Sequence, residues 1–146
     1  MSLTNTSENN LMKLIFTNTA WAGIGDAGGL QPSVAAGSYY LSLHTANPGE
    51  TGDQTTSEAN YTSYARVAVN RTAGGWTVSG NQASNTALVQ FPQSTGGTNT
   101  ITHIGVGTAS SGAGELVYYS ALNASITVQN LNTPQFLAGS LTITAD

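Results

Sequence analysis

Ionised side chains are what this chain has least of: 7% of its 146 residues are charged, against about 25% in an ordinary soluble domain. The basic residues number three (Lys13, Arg66, Arg71), the acidic seven, and the formal net charge is −4. A nucleic-acid ligand needs a phosphate-neutralising face, which three scattered cations do not supply, so direct nucleic-acid binding is not expected. Cysteine is absent, which removes disulfides and zinc-thiolate sites together and fits a protein made in a reducing cytosol. No apolar run approaches the roughly 20 residues of a membrane span, so no membrane partner is expected. Met1-Ser2-Leu3-Thr4-Asn5 has no basic segment leading into a long apolar one, so no secretory signal is expected either. The sequons at Asn5, Asn60, Asn70 and Asn123 are then by-products of an Asn/Thr-rich composition.

What the chain does have is Thr, Ser, Asn, 17 glycines and a 39% hydrophobic content spread in short runs. This length suits one domain, residues 1–146, burying roughly 70% of its unfolded surface. One helix is expected, from Ser7 to about Thr17, capped by Thr6 or Ser7 with Glu8 in its first turn and Leu11, Leu14 and Ile15 at helical spacing. After a glycine-rich stretch, Ala20–Gly37, the pattern turns to strands. Ser38–Thr45 alternates Tyr39/Leu41/Leu43 against Tyr40/Ser42/His44, and Ala65–Thr72 sets Val67 and Val69 inward with Arg66, Ala68 and Asn70 outward. Further strands are expected at Trp76–Val78 behind a Gly74-Gly75 hairpin turn, Thr86–Phe91, Thr100–Gly107, Glu115–Ala121, Ser125–Val128 and Gln135–Thr144, the last bulged at Gly139. The class is all-β: about eight strands in an antiparallel, jelly-roll-like sandwich, because the long connections Ala46–Ser63 and Pro92–Asn99 favour a Greek key over an up-and-down barrel.

Chemistry-bearing patterns are few. Gly23-Ile24-Gly25-Asp26-Ala27-Gly28 matches G-x-G-x-x-G, with Glu50 following, but a helix precedes it and Pro32 and Gly37 block a helix after it. The dinucleotide context is missing, and a flexible glycine loop is the expectation. His44 and His103 lack third and fourth zinc ligands. The loop acids Glu50, Asp53 and Glu58 could collect a calcium, without the spacing of an EF-hand. No G-x-S-x-G elbow occurs, and Glu115 beside Gly112 and Gly114 suits a turn better than a glycosidase carboxylate. Tyr39/Tyr40 and Tyr118/Tyr119 could serve a sugar-binding face, although strand alternation alone explains one ring to each side. No catalytic residue, metal or cofactor is expected; an assembly part is.

The strand text YLSLHTANPGETG (Tyr40–Gly52), YARV (Tyr64–Val67), ITHIGV (Ile101–Val106), LVYYSAL (Leu116–Leu122) and FLAGSLTI (Phe136–Ile143), behind the helix text LMKLIF, resembles a family of small tailed-bacteriophage virion proteins. Members are often labelled tail-fibre proteins, and some look like jelly-roll capsid cement (decoration) proteins. The chain departs from that pattern in its longer Gly23–Gly37 segment. The resemblance implies a virion protein made in the bacterial host cytoplasm and placed on the capsid surface, binding across adjacent major capsid protein subunits. The alternative is a tail or tail-fibre component that meets the host.

Low charge suits such a role, because desolvating Thr, Ser and Asn costs less than desolvating Lys or Glu. Self-association as a homodimer or trimer is expected, since repeated contacts multiply grip. Expected contact residues are Thr4 and Asn5 in the polar arm Met1–Asn10, Trp21 as an aromatic anchor, and Glu50, Asp53, Tyr61 and Tyr64 in and beside the Ala46–Ser63 loop. In that loop Asn47-Pro48-Gly49 should form a type II turn that aims the rest outward.

Overall fold

The computed structural model of the protein describes residues 2–145. The elements are α1 (Asn5–Thr17), β1 (Ser38–His44), β2 (Val67–Asn70), β3 (Trp76–Ser79), β4 (Gln82–Asn85), β5 (Val89–Gln90), β6 (Asn99–Gly107), β7 (Leu116–Val128), β8 (Gln135–Phe136) and β9 (Thr142–Thr144). The fold is all-β and sandwich-like, with three antiparallel sheets, ordered β2-β1-β6-β7, β3-β4-β9 and β5-β8, and one short N-terminal helix. The chain passes between two compact units, one built from Met1–Ser38, Asn70–Leu88 and Phe136–Asp146, the other from Tyr39–Val69 and Val89–Gln135.

In the first unit α1 starts earlier than its sequence suggests. Thr4 is extended (φ −82°, ψ 156°) and its hydroxyl accepts from the Ser7 amide, so Thr4 rather than Thr6 or Ser7 is the cap. Glu8 does fall in the first turn. The buried stripe is Met12 and Phe16, four residues apart, while Leu11, Leu14 and Ile15 are half-buried. Phe16 packs on Trp76 of β3 with ring centroids 4.9 Å apart. Asn18 ends the helix in the left-handed region at φ 51°. Arg71 then closes it: Nε donates to the Ile15 carbonyl at 2.6 Å and Nη2 to Leu14 at 2.9 Å, a cation placed where the helix leaves carbonyls unsatisfied.

The β3–β4 hairpin turns at Gly80 (φ 59°) and Asn81, not at Gly74-Gly75, which enter β3. Its second strand, Gln82–Asn85, carries one apolar residue, Ala83, and so gives no alternating hydrophobic signal. Asn85 is 1% exposed and saturated: its amide donates to the Ala87 and Leu137 carbonyls, both at 2.8 Å, and its Oδ1 accepts from the Leu141 amide at 2.9 Å. That clamp explains why Gln135–Thr144 is two short strands instead of one bulged strand, since Gly139 (φ 74°) turns the chain back to bond the Asn85 carbonyl.

In the second unit β1 and β6 pair Leu41↔Val106, Leu43↔Ile104 and His44↔His103, and β6 and β7 pair Ile104↔Ser120 and Val106↔Tyr118. Leu41, Leu43, Ile104 and Val106 therefore share one buried face. The opposite face carries Ser42, His44, Gly105 and Gly107 and is buried too, by the chain's own 46–66 segment. Glycine is required there: a Cβ on Gly107 would lie 2.1 Å from Gln54 Cδ, and one on Gly105 2.7 Å from His44 Nε2. Thr86–Phe91 yields only β5, with Leu88 47% exposed and Val89 and Phe91 buried. Ser125–Val128 is no separate strand; β7 runs through it, with register irregularities opposite Ile101/His103 and Val106/Gly107.

Candidate functional site

The Ala46–Ser63 connection is the longest of the expected contact regions. At its entry Gly49 takes φ 73° and its amide donates to Asn47 Oδ1 at 2.9 Å, an Asx contact. Beyond it the loop folds inward rather than outward: Gln54 is 0% exposed, Ala59 4% and Tyr61 2%. The reason is hydrogen bonding. Gln54 Nε2 donates to the Tyr40 carbonyl at 3.2 Å while its Oε1 accepts from the Ala109 amide at 2.8 Å, so one side chain ties the loop to β1 and to the segment after β6.

Beside it lies a polar hub that the sequence pattern did not single out. Arg66, expected to point outward, has a side chain only 2% exposed. Its guanidinium grips Glu58 with two bonds, Nε to Oε1 at 2.6 Å and Nη2 to Oε2 at 2.8 Å, and also donates to the Ala109 and Gly112 carbonyls at 2.8 and 2.7 Å. Tyr64 Oη donates to Glu58 Oε1 at 2.9 Å and accepts from the Leu43 amide at 3.0 Å. Burial drives the Tyr64 phenol pKa far above its ordinary value, and raises that of Tyr61 to about 12. Tyr61 donates to the Pro92 carbonyl at 3.0 Å and packs edge-on against Tyr64 at 5.3 Å. Tyr61 is thus a core residue of this unit, and the Tyr64 hydroxyl is committed within it. The one available signal was the scarcity of charge itself: Glu58 and Arg66 are opposite charges eight residues apart in a chain with few of either.

The remaining candidate residues are dispersed. Thr4 and Asn5 are exposed at the helix start, and of the arm that contains them Met1 lies outside the described residues. Trp21 is half-buried and bridges Leu30 by backbone bonds of 3.0 and 2.9 Å, closing the glycine loop into a folded turn. Inside that turn the Asp26 carboxylate accepts the Gly28 and Gly29 amides at 2.8 and 3.0 Å, donors that a phosphate would need. Glu50 is exposed. The Asp53 carboxylate accepts from the Thr55 hydroxyl at 2.6 Å and the Thr55 amide at 2.8 Å, bonds that hold its pKa below the usual value. With Glu58 held by Arg66, the three loop acids are not brought together, and the described residues contain no cluster of three metal-binding side chains.

His44 is 0% exposed, donates from Nδ1 to the Thr56 carbonyl at 2.8 Å, and accepts the Ser42 hydroxyl on Nε2 at 2.9 Å. Burial lowers its pKa, which suits this neutral tautomer. Tyr39, Tyr40, Tyr118 and Tyr119 are all half-buried. Exposed apolar side chains are Leu3, Ile24, Leu30, Val34, Leu88, Leu131 and Leu137, and among the described residues no helix is long and apolar enough to cross a membrane.

These features describe a chain whose few ionisable groups hold its loops together and whose outer surface is largely neutral. Comparison with known proteins agrees with the series of strand motifs. No curated protein matches the chain. A family model described as "Podophage GP4 fiber I protein gp80" matches residues 2–144, nearly the whole length. The chain belongs to this podophage fiber I (gp80) family of small tailed-phage virion proteins.

Proposed function

We propose that this protein is a non-enzymatic structural subunit of a podophage particle and that it serves in a fibre of the virion. The family match over residues 2–144 carries the proposal, since the family is described by a fibre protein. The chemistry of the chain supports a purely structural part. Glu58, Arg66 and Arg71 are engaged in holding loops and a helix end, and His44 is enclosed. Such a part attaches by many short-range contacts over a neutral Thr/Ser/Asn surface, where desolvation costs little per residue. Its partners are other virion proteins and copies of itself, without nucleic acid or membrane.

A second reading, capsid cement bound across adjacent major capsid protein subunits, is favoured by one observation. A 7% charge content suits a surface covered over a broad area by neighbours. Copy number separates the two. Quantitative mass spectrometry of purified virions, scaled to the major capsid protein, should find this chain far below one copy per capsid subunit. A ratio near unity would overturn the fibre assignment in favour of cement, and absence from virions would overturn both.

A further inference from the structure

We propose that the outer edge of β7 is the seam where two copies of this chain pair, antiparallel and edge to edge, into one continuous sheet. A strand edge offers a row of backbone donors and acceptors that another strand can match. Among the described residues the other terminal strands are shorter: β2 and β3 have four residues each, β9 three, and β5 and β8 two. β7 has 13 and ends the order β2-β1-β6-β7. Its sequence, LVYYSALNASITV, contains no charge, proline or glycine, so between its register irregularities it lacks the charges and prolines that forbid edge pairing.

Two register irregularities confine the seam. Tyr118–Ala121 pair regularly with Val106–His103, while Val117 on one side and residues 122–125 on the other depart from the ladder. A bulge bends and twists its strand, so pairing stops there and a closed two-fold dimer forms instead of a growing ribbon.

A second copy fits this edge on charge as well. Along the chain the nearest carboxylate to the seam is Glu115, exposed just before the strand; His103 lies on the β6 side, opposite Ala121, and the seam's own titratable groups are the phenols of Tyr118 and Tyr119. Two-fold pairing centred on Tyr119 or Ser120 brings Glu115 toward the neutral segment Asn123-Ala124-Ser125 of the second copy, whereas parallel pairing would set Glu115 beside Glu115. Ser120 and Ala121 are exposed, so nothing in this copy covers their side chains. The inference does not depend on whether the protein serves a fibre or a shell.

The test uses the isolated full-length chain, read by light scattering behind size exclusion. The expected mass is twice 14.9 kDa, with slow amide exchange at Tyr118–Ala121. Ser120→Lys/Ala121→Lys should convert the dimer to monomer with an unchanged circular dichroism spectrum, because it gathers four lysines within two residues of the axis, where their like charges oppose pairing. Leu137→Lys, an exposed site elsewhere, should leave the dimer intact. A monomeric wild-type chain at its highest soluble concentration overturns the proposal. So does a dimer indifferent to the edge lysines, or an edge that pairs with a different protein in preference to its own copy. Copy number in virions is a separate measurement, so failure of the seam and failure of the fibre assignment remain distinguishable.

Discussion

Replacing Arg66 by methionine removes the most connected side chain of the second unit while keeping its length. The cost is set by what is left behind. Glu58 loses both guanidinium bonds and keeps only the Tyr64 hydroxyl, at 17% exposure of its side chain. Breaking a buried pair by removing one partner costs about 3–5 kcal/mol, and partial access of water to Glu58 sets the figure at the low end, about 3 kcal/mol. The Ala109 and Gly112 carbonyls also lose a donor, but Gly112 is exposed and Ala109 half-buried, so water replaces most of that loss. Glu58→Gln in the same background removes the stranded charge and retains an acceptor for Tyr64. The double variant should therefore recover about 2 kcal/mol, and the coupling energy of the cycle should exceed that by the cost of Glu58→Gln alone, which takes the carboxylate away from buried Arg66.

The protein carries its own reporters for this measurement. Both tryptophans, Trp21 and Trp76, lie in the first unit, while the six tyrosines all lie in the second. Urea denaturation followed by near-ultraviolet tyrosine dichroism should show a midpoint lower by about 1–2 M for Arg66→Met. Tryptophan fluorescence on the same samples reports whether the loss reaches the first unit. A midpoint within experimental scatter of wild type, with no coupling in the double variant, would mean the guanidinium is solvated and the hub adds nothing.

The same geometry sets three further outcomes. His44 has a folded pKa below its ordinary 6.5, so the unfolded chain binds the proton first. The His44 contribution is complete above that value and declines as pH falls through it, visible as a falling urea midpoint between about pH 7.5 and pH 5; a flat profile there would contradict an enclosed neutral imidazole. Asn85→Ala leaves two carbonyls and an amide of the first unit without their partner and should cost about 3 kcal/mol by tryptophan-detected denaturation, whereas a loss under about 1 kcal/mol would show that water replaces the clamp. Gly107→Ala drives a methyl into Gln54 and should cost about 1–3 kcal/mol, relieved in a Gln54→Ser background, and thermal melts that show no relief would contradict that contact.

What the sequence shows and what it hides divide along a physical line. Alternation exposes strands that bury one apolar face, and Ser38–His44, Val67–Asn70 and Asn99–Gly107 were visible for that reason. β4 was invisible because a buried asparagine and a small alanine, not an apolar stripe, hold it in place. Tyr61 and Tyr64 read as contact residues because they lie in and beside a long polar loop, yet that loop folds back, burying Tyr61 and half-burying Tyr64. Long-range hydrogen bonds decide such cases. The Gln54 amide reaches Tyr40 and Ala109, 14 and 55 residues away, and no local pattern encodes either contact.

The same contacts bear on what the protein is for. Scarce charge would ordinarily be spent on the surface, where it keeps a chain soluble and apart from its neighbours. Here both arginines and Glu58 are drawn into the fold, Arg66 to fasten the loop over the second sheet face and Arg71 to close α1. Lys13, Asp26, Glu50 and Glu115 remain among the exposed charges, on a helix face and in turns, and the long β7 edge has none. Internal use of the cations leaves the outside more neutral than the composition implies. A neutral outside with a bare strand edge is costly for a solitary protein, because nothing opposes association. For a subunit whose working state is the assembled particle, that association is the function, and the loops that would otherwise compete with it are locked down by the few charges the chain keeps.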